Sequence, residues 1–304
     1  MKVGEVVGAA LVAHVPTIVL PEEVRRELNE GQEISLVPGL HRMKAERLDR
    51  LRPDTIVVFD AHWLTTVEFV VAAHDRRAGL YTSEELPRGM AQMPYDFRGD
   101  PDLARLMAEE VNAAGSWMTA IDDPHLPIHY PTTNLLPFLQ GDERWVSVSV
   151  AQTGETDDFL LVGAAVGRAI ARSGRRVVLL ASGAMSHTFW KLKELRAHEA
   201  SDPSHIRTPE ARHADLERLA WLAAGDHARV LDTMPEFLRQ RPEGMFAHYL
   251  MMVAAIGGRE CQAPGVAYSD YENSIGTGQA HVWFERPAAG WTSEHAEDAA
   301  PAPA

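Results

Sequence analysis

The stretch RVVLLASGAMSH, residues 176–187, is an apolar run that ends in a polar turn and a histidine. A short apolar run bounded by turn residues is typical of a buried strand. Two other runs have the same organisation, EVVGAALVAH at 5–14 and TIVVFDAH at 55–62. Stretches with helical spacing lie between and after them, such as 39–51, 157–172 and 227–238. Strands that alternate with helices predict an α/β fold with a mixed central β-sheet flanked by helices.

One domain accounts for most of the chain. The 304 residues, of which 45% are hydrophobic, suffice for a single large core, and no linker interrupts the pattern before the C-terminal region. We expect a catalytic domain over 1–286. From 287 to 304 the chain is rich in Pro, Ala and Glu, which predicts a disordered tail.

Composition excludes several classes of protein. The balance of 29 Lys+Arg against 43 Asp+Glu gives a net charge of −14, which argues against nucleic-acid binding. His14 and Pro16 interrupt the first apolar stretch, which favours a buried strand over a signal peptide or a membrane span. The single cysteine, Cys261, excludes an internal disulfide and Cys-rich metal sites, and indicates a cytoplasmic location.

Each of the three apolar runs is followed by a histidine, respectively His14, His62 and His187. Ligands bind at the carboxyl ends of strands in open α/β sheets, so the three histidines predict a site there, although any one of them could be a hydrogen-bonded turn residue. Two imidazoles and a carboxylate are the ligands of non-haem Fe(II) sites. Glu243, which precedes the apolar helix predicted at 245–256, is a candidate carboxylate or only a helix-dipole partner. Asp60 is a candidate for orienting His62.

These residues lie in segments that resemble the class III extradiol ring-cleavage dioxygenases, the family of the protocatechuate 4,5-dioxygenase catalytic subunit. The likeness is strongest to the homoprotocatechuate (3,4-dihydroxyphenylacetate) 2,3-dioxygenases and extends over about residues 8–285. The matching segments are AHVPTIVL at 13–20, DTIVVFDAHWL at 54–64, GLYTSEELP at 79–87, LLASGAMSH at 179–187, LDTMPEF at 231–237, PEGMFAHYLMMVAAIG at 242–257 and GTGQAHVWF at 276–284.

The resemblance implies a function and a set of site residues. It implies Fe(II) bound by His14, His62 and Glu243, and His187 as the acid/base histidine. The implied reaction opens a small aromatic ring, preferably a homoprotocatechuate-like catechol, and incorporates both atoms of O2. No organic cofactor, nucleic acid or membrane is implied. A homodimer or homotetramer is the expected assembly.

The loop at 129–132 departs from the family pattern, because His129-Tyr130-Pro131-Thr132 stands where the homoprotocatechuate branch has Glu-Tyr-Gly-Thr. Tyr130 is predicted either to donate a hydrogen bond to substrate or to be a packed loop tyrosine, and His129 is predicted to line the cleft. The departure leaves a 2-aminophenol or hydroxypyridone-type ring as an alternative substrate. Two other functions stay open from the residues alone, a Zn-dependent hydrolase with the same ligands and a non-catalytic ligand-binding protein.

Overall fold

The computed structural model describes residues 3–292, and the strands within this range form one large sheet and two small ones. Their bounds are β1 Glu5–Val12, β2 Thr55–Thr65, β3 Phe69–Ala72, β4 Arg76–Tyr81, β5 Met93–Arg98, β6 Met118–Ile121, β7 Arg144–Ala151, β8 Arg176–Ser182, β9 Gly265–Ala267, β10 Glu272–Ser274, β11 Thr277–Gln279 and β12 Val282–Phe284.

The large sheet has the strand order β6-β3-β7-β2-β8-β1-β12-β9. Its centre is parallel, since β7, β2, β8 and β1 all run in one direction. β12 is antiparallel to β1 and β9, and β3 is antiparallel to β7. The pairs β4–β5 and β10–β11 form separate hairpins. The predicted α/β fold with a mixed central sheet is therefore confirmed.

Helices cover both faces of the sheet. Their bounds are α1 Glu22–Leu28, α2 Leu36–Met43, α3 Asp49–Leu51, α4 Pro101–Ala113, α5 Tyr130–Thr133, α6 Leu136–Leu139, α7 Thr156–Ser173, α8 Pro209–Ala223, α9 His227–Asp232, α10 Met234–Phe237 and α11 Ala247–Ala255. A π-helical turn at Lys44–Leu48 joins α2 to α3, so the helical stretch predicted at 39–51 is present.

Strand β2 shows why the central strands are apolar throughout. Val57 and Phe59 pack into the core beneath α4, α7 and α11, whereas Ile56 and Val58 pack into the core beneath α2 and α6. Alternate side chains of an extended chain point to opposite faces, and here both faces are covered. Apolar residues are thus required at successive positions, as the sequence has them.

Two predicted helices differ in the structure. The helix predicted at 227–238 is divided at Thr233, because Pro235 in the next turn has no N–H to donate and opposes a continuous helix. The helix predicted from 245 begins at Ala247, and residues Gly244, Met245 and Phe246 have φ of 51°, 59° and 62°. Glu243 therefore precedes the helix by a left-handed turn instead of lying in its first turn.

The C-terminal region is described only as far as Thr292. Trp291 Nε1 donates a hydrogen bond of 2.8 Å to the carbonyl oxygen of Val6 at the start of β1. Residues 293–304 of the predicted tail lie outside the described residues, and the boundary at 286 stays a prediction. Of the helices within residues 3–292, none is both long and apolar enough to cross a membrane.

We predict that Gly163→Ala on α7 destabilises the protein. A Cβ at this position would lie 2.2 Å from the carbonyl oxygen of Met251 on α11, so the two helices would have to separate. Overpacking costs about 1–3 kcal/mol, which outweighs the gain of about 1 kcal/mol from replacing glycine within a helix. Chemical denaturation measures the difference in unfolding free energy.

Leu161→Ala on the exposed side of α7 is the matched control, with an expected change of about 0.5 kcal/mol or less. A gain in stability for Gly163→Ala would contradict the close approach of α7 and α11.

Candidate active site

The register of the central strands brings three strand ends to one edge of the sheet. Val12 of β1 pairs with Ser182 of β8, and Ser182 also pairs with Asp60 of β2. His14 follows β1 by two residues, and its Nδ1 lies 3.0 Å from Ser182 Oγ. Asn134 Nδ2 donates a hydrogen bond of 2.8 Å to the carbonyl oxygen of His14. His14 is therefore held in place both at its ring and at its backbone carbonyl group.

Glu243 reaches the same edge from the chain segment that precedes α11. Its backbone N–H donates to the carbonyl oxygen of Met185 at 3.1 Å, and its Oε2 accepts from Ala184 N at 2.5 Å. Its Oε1 lies 3.3 Å from His14 Nε2, and only 6% of the side chain is exposed. Burial raises the pKa of Glu243, but positive charge on His14 and His187 outweighs burial and lowers it below its usual value. Glu243 is therefore a carboxylate when positive charge faces it, from a protonated imidazole or from a bound cation.

The hydrogen bonds of Ser182 determine whether the His14 nitrogen that faces Glu243 carries a proton or a lone pair. Ser182 Oγ donates to the carbonyl oxygen of Pro131 at 3.3 Å, so Ser182 accepts from the Nδ1–H of His14. In the neutral imidazole Nε2 then carries a lone pair. That lone pair and the carboxylate are two acceptors 3.3 Å apart. They require a shared proton or a cation between them.

His62 lies on an irregular part of β2. The pairing with β7 passes from Phe59↔Val148 to Leu64↔Val150, so β2 has a bulge that includes His62. Bulges of this kind re-aim side chains next to active sites. The strand that begins with the apolar run at 55–59 thus continues to Thr65, and His62 is within the strand instead of after it.

The ring of His62 faces the cleft and is partly exposed. Its Nε2 lies 3.1 Å from Glu85 Oε1, and its ring centroid lies 4.3 Å from that of Tyr130. Tyr130 also contacts His14, at 5.3 Å between ring centroids. Within residues 3–292, no group of three His, Cys, Asp or Glu side chains stands ready to hold a metal ion. The structure therefore brings His14 and Glu243 together, whereas His62 packs on Tyr130 and pairs with Glu85.

His187 is held against Glu243 by backbone pairing. Its N–H donates to the carbonyl oxygen of Arg241 at 3.0 Å, and Ser186 and Pro242 form an antiparallel bridge. Its ring packs edge-on against that of Phe189 at 4.7 Å. Burial lowers the pKa of His187 and outweighs the opposite effect of Glu243. His187 is therefore a neutral imidazole near pH 7, able to accept a proton.

Tyr130 and His129 lie next to the candidate ligands, and their predicted roles in the cleft stay predictions. Burial and the nearby carboxylate of Glu243 raise the pKa of Tyr130, so its hydroxyl keeps its proton. The ring of His129 stacks on that of Trp63 at 5.8 Å, and burial lowers the pKa of His129 to about 4. His129 Nε2 is buried without a hydrogen-bond partner in the described part of the chain.

Asp60 supports the bulge of β2. Its Oδ1 accepts from the backbone N–H groups of His62 and Trp63 at 3.1 and 2.9 Å, and its Oδ2 accepts from Thr132 Oγ1 at 3.3 Å. Burial raises the pKa of Asp60 to about 6. Asp60 thus holds the backbone of His62.

Sequence reasoning missed three residues around this site, namely Glu85, Asn134 and Ser182. Ser182 and Glu85 lie within the family-like segments LLASGAMSH and GLYTSEELP, which is the one signal that could have found them. His248 of α11 is fully buried near this site. A Cβ on Gly183 would lie 2.5 Å from its ring, so His248 packs directly behind the turn at 182–187.

The chain is similar to known ring-opening enzymes along most of its length. Residues 8–279 match the family described as the catalytic LigB subunit of aromatic ring-opening dioxygenase. A 3,4-dihydroxyphenylacetate 2,3-dioxygenase of Escherichia coli is 32% identical over 237 residues, which are 77% of this chain and 83% of that protein. The 2-aminophenol 1,6-dioxygenase beta subunit of a Pseudomonas species is 26% identical over 308 residues, covering 95% of this chain and 97% of the subunit.

A solved structure shows the same fold. The crystal structure of an uncharacterized protein from Escherichia coli K12 superposes with a TM-score of 0.63 at 19% identity, over 91% of this chain and 99% of the other. The family match and the 32% identity confirm the resemblance seen in the sequence. The chain therefore belongs to the family of catalytic LigB subunits of aromatic ring-opening dioxygenases and is a class III extradiol ring-cleavage dioxygenase.

Proposed function

We propose that this dioxygenase uses Fe(II), bound by His14, His62 and Glu243, to open a catechol-type ring with both atoms of O2. One observation carries the metal proposal, the opposition of His14 Nε2 and Glu243 Oε1 at 3.3 Å in a buried position. Two ligand atoms about 2.1 Å from one metal ion and at a right angle lie about 3 Å apart. The observed separation fits two adjacent ligands of one cation.

His62 fits as the third ligand through its own position in the cleft. Its side chain is 25% exposed, and its partner Glu85 is 50% exposed. Such ion pairs contribute about 1 kcal/mol or less, so a cation can replace Glu85 as the partner of Nε2. Nitrogen and carboxylate donors of this number suit Fe(II), and they suit Zn(II) equally. The family match favours the dioxygenase over the hydrolase.

Different residues of the cleft have different roles in the proposed reaction. Bound iron would hold the ring and O2 together and pass electron density between them. His187, as a neutral imidazole, accepts the proton that a ring hydroxyl loses and returns it later. Tyr130 keeps its proton and donates a hydrogen bond to a substrate oxygen. Trp63 and His129 stack on each other with ring centroids 5.8 Å apart.

A homoprotocatechuate-like catechol is the favoured substrate, because the Escherichia coli relative is named for 3,4-dihydroxyphenylacetate. An observation in the cleft supports a second candidate, a 2-aminophenol-type ring without a carboxylate. Glu85 places a negative charge 3.1 Å from His62, and this charge opposes a substrate carboxylate on that side. The 2-aminophenol relative also matches almost the entire chain.

We further propose a cytoplasmic homo-oligomer, a dimer or a tetramer. The single cysteine supports the compartment. Two relatives are named as the beta and alpha subunits of a 2-aminophenol 1,6-dioxygenase. A second type of subunit is therefore the alternative assembly.

We predict stoichiometric O2 uptake after anaerobic reconstitution with Fe(II). An oxygen electrode and an absorption spectrum would follow homoprotocatechuate, protocatechuate, catechol, 2-aminophenol and 3-hydroxy-4-pyridone. A ring-fission chromophore with homoprotocatechuate confirms the favoured substrate, and one with 2-aminophenol alone confirms the second. Absence of uptake across the panel, together with zinc retained by the purified protein, would refute the oxygenase proposal.

We predict that Ser182→Ala weakens Fe(II) binding by about 10–100-fold, because His14 loses the partner that fixes its tautomer. Competition with a coloured chelator measures the affinity. Ser149→Ala is the control, since Ser149 Oγ is also buried but accepts from Val70 N. Equal affinities for the two variants would mean that Ser182 does not orient a metal ligand.

We predict that His187→Ala lowers the turnover number by about 10²–10⁴-fold and leaves the iron content unchanged. The loss follows from removal of the proton acceptor beside Glu243. His213→Ala, an exposed histidine on α8, is the control and should retain full turnover. Retained turnover in His187→Ala would assign the proton transfer to another group.

A further inference from the structure

Asp215 is a fully buried carboxylate on α8 that the reaction described above does not use. Its Oδ1 accepts from the backbone N–H of Ser186 at 3.0 Å. Its Oδ2 accepts from Ser186 Oγ and from the Tyr271 hydroxyl, both at 2.6 Å. No Lys, Arg or His of residues 3–292 forms an ion pair with it. Three hydrogen bonds thus stabilise the carboxylate, and two of them come from the residue before His187.

Ser186 is the central residue of a segment that is paired on both sides. On one side, Met185 N donates to the carbonyl oxygen of Gly278, and Gly278 N donates to that of Ser186, both at 2.9 Å. On the other side, Glu243 N donates to Met185 and His187 N donates to Arg241. Residues 185–187 therefore form the middle of a small three-stranded arrangement with 277–279 and 241–243. Asp215 fixes that arrangement at its central residue.

Gly278 shows that this arrangement depends on close approach. A Cβ on Gly278 would lie 2.1 Å from Asp215 Oδ2 and 2.6 Å from the Tyr271 hydroxyl. Only glycine admits the carboxylate at that point. The sequence Gly276-Thr277-Gly278 is therefore more than a tight turn, because its second glycine makes room for the group that holds Ser186.

The chemical state of Asp215 agrees with this role. Burial raises its pKa to about 6, and the hydrogen bonds from Ser186 and Tyr271 act in the opposite direction. The pKa of Tyr271 is raised by burial and by Asp215, so Tyr271 remains a donor. The carboxylate form can accept all three hydrogen bonds, whereas an amide in its place cannot.

We infer that Asp215 is a positioning residue, whose carboxylate holds the turn at 185–187 and thereby fixes the His187 imidazole relative to the Glu243 carboxylate. It acts through Ser186 and touches neither substrate nor metal. This inference rests on the proposed role of His187 in proton transfer. Precise placement matters because small displacements of a catalytic group reduce rate much more than binding.

Asp215→Asn tests the inference through the separate effects on kcat and KM. We expect kcat of the iron-loaded enzyme to fall at least tenfold, with KM and iron content within twofold of wild type. Tyr271→Phe should cause a smaller loss, since it leaves both hydrogen bonds from Ser186. Asp232→Asn is the matched control, because Asp232 is an exposed aspartate that pairs with Arg259, and its kcat should stay within twofold.

Amide hydrogen exchange on the metal-free protein gives a readout that does not need activity. In Asp215→Asn the amides of Ser186 and His187 should exchange at least tenfold faster, while those of β7 stay unchanged. If wild type takes up no O2 with any substrate, the proposed function fails, and the exchange rates still decide the role of Asp215.

Two results would overturn the inference. In the first, kcat and the exchange at 186–187 match those of Asp232→Asn. In the second, exchange rises throughout the chain together with loss of iron, which would make Asp215 a general stabilising residue. If Asp215→Asn does not fold, Ser186→Ala applies the same measurements, because it removes one hydrogen bond to Asp215 and keeps the backbone N–H.

Discussion

The structure depends on one buried contact, in which an imidazole nitrogen and a carboxylate oxygen face each other. His14 Nε2 and Glu243 Oε1 are 3.3 Å apart, and both side chains are at least nine-tenths buried. A buried carboxylate without compensation would be costly, and Ala184 N supplies one hydrogen bond only. The remaining compensation comes from the positive charge that His14 shares with Glu243, or from a cation that both would bind. The rest of the fold near the site holds these two groups in place.

The chain accepts backbone strain to bring Glu243 to this point. Gly244, Met245 and Phe246 have φ between 51° and 62°, and the last two are not glycine. Left-handed residues of this kind cost about 1–2 kcal/mol each. They turn the chain from its pairing with 185–187 into α11, whose side chains are buried. The apolar contacts of α11 offset the strain, and Glu243 is fixed between the paired segment and the helix.

The apolar strands and the site residues could be predicted to different extents. The runs at 5–13, 55–59 and 176–181 predicted central strands, because burial on both faces leaves a continuous apolar signal. The histidines that follow these runs predicted a site at one edge of the sheet, where the structure brings His14 and Glu243 together. His62 shows the limit of this reasoning. A bulge held by Asp60 shifts it within β2, and pairing with Glu85 depends on a loop whose placement no local pattern encodes.

The supporting contacts join residues far apart in the chain. Asn134 lies 120 residues from His14, and Ser182 lies 168 residues from it. Such contacts follow from strand order, which is not encoded in any short segment. The predicted helix 227–238, in contrast, is interrupted for a local reason, the proline at position 235. The spacing of the apolar residues alone did not show this interruption.

Two titratable groups near Glu243, His187 and Tyr130, differ in whether they accept or donate a proton in hydrogen bonds. Burial keeps His187 neutral, so it can accept a proton, whereas burial and the charge of Glu243 keep Tyr130 protonated, so it can only donate. Two adjacent substituents on a bound ring would therefore meet different environments, a proton acceptor on one side and a hydrogen-bond donor on the other. A substituent that releases its proton readily suits the side of His187. If a ring binds here as proposed, a difference in acidity between its two adjacent substituents would orient it.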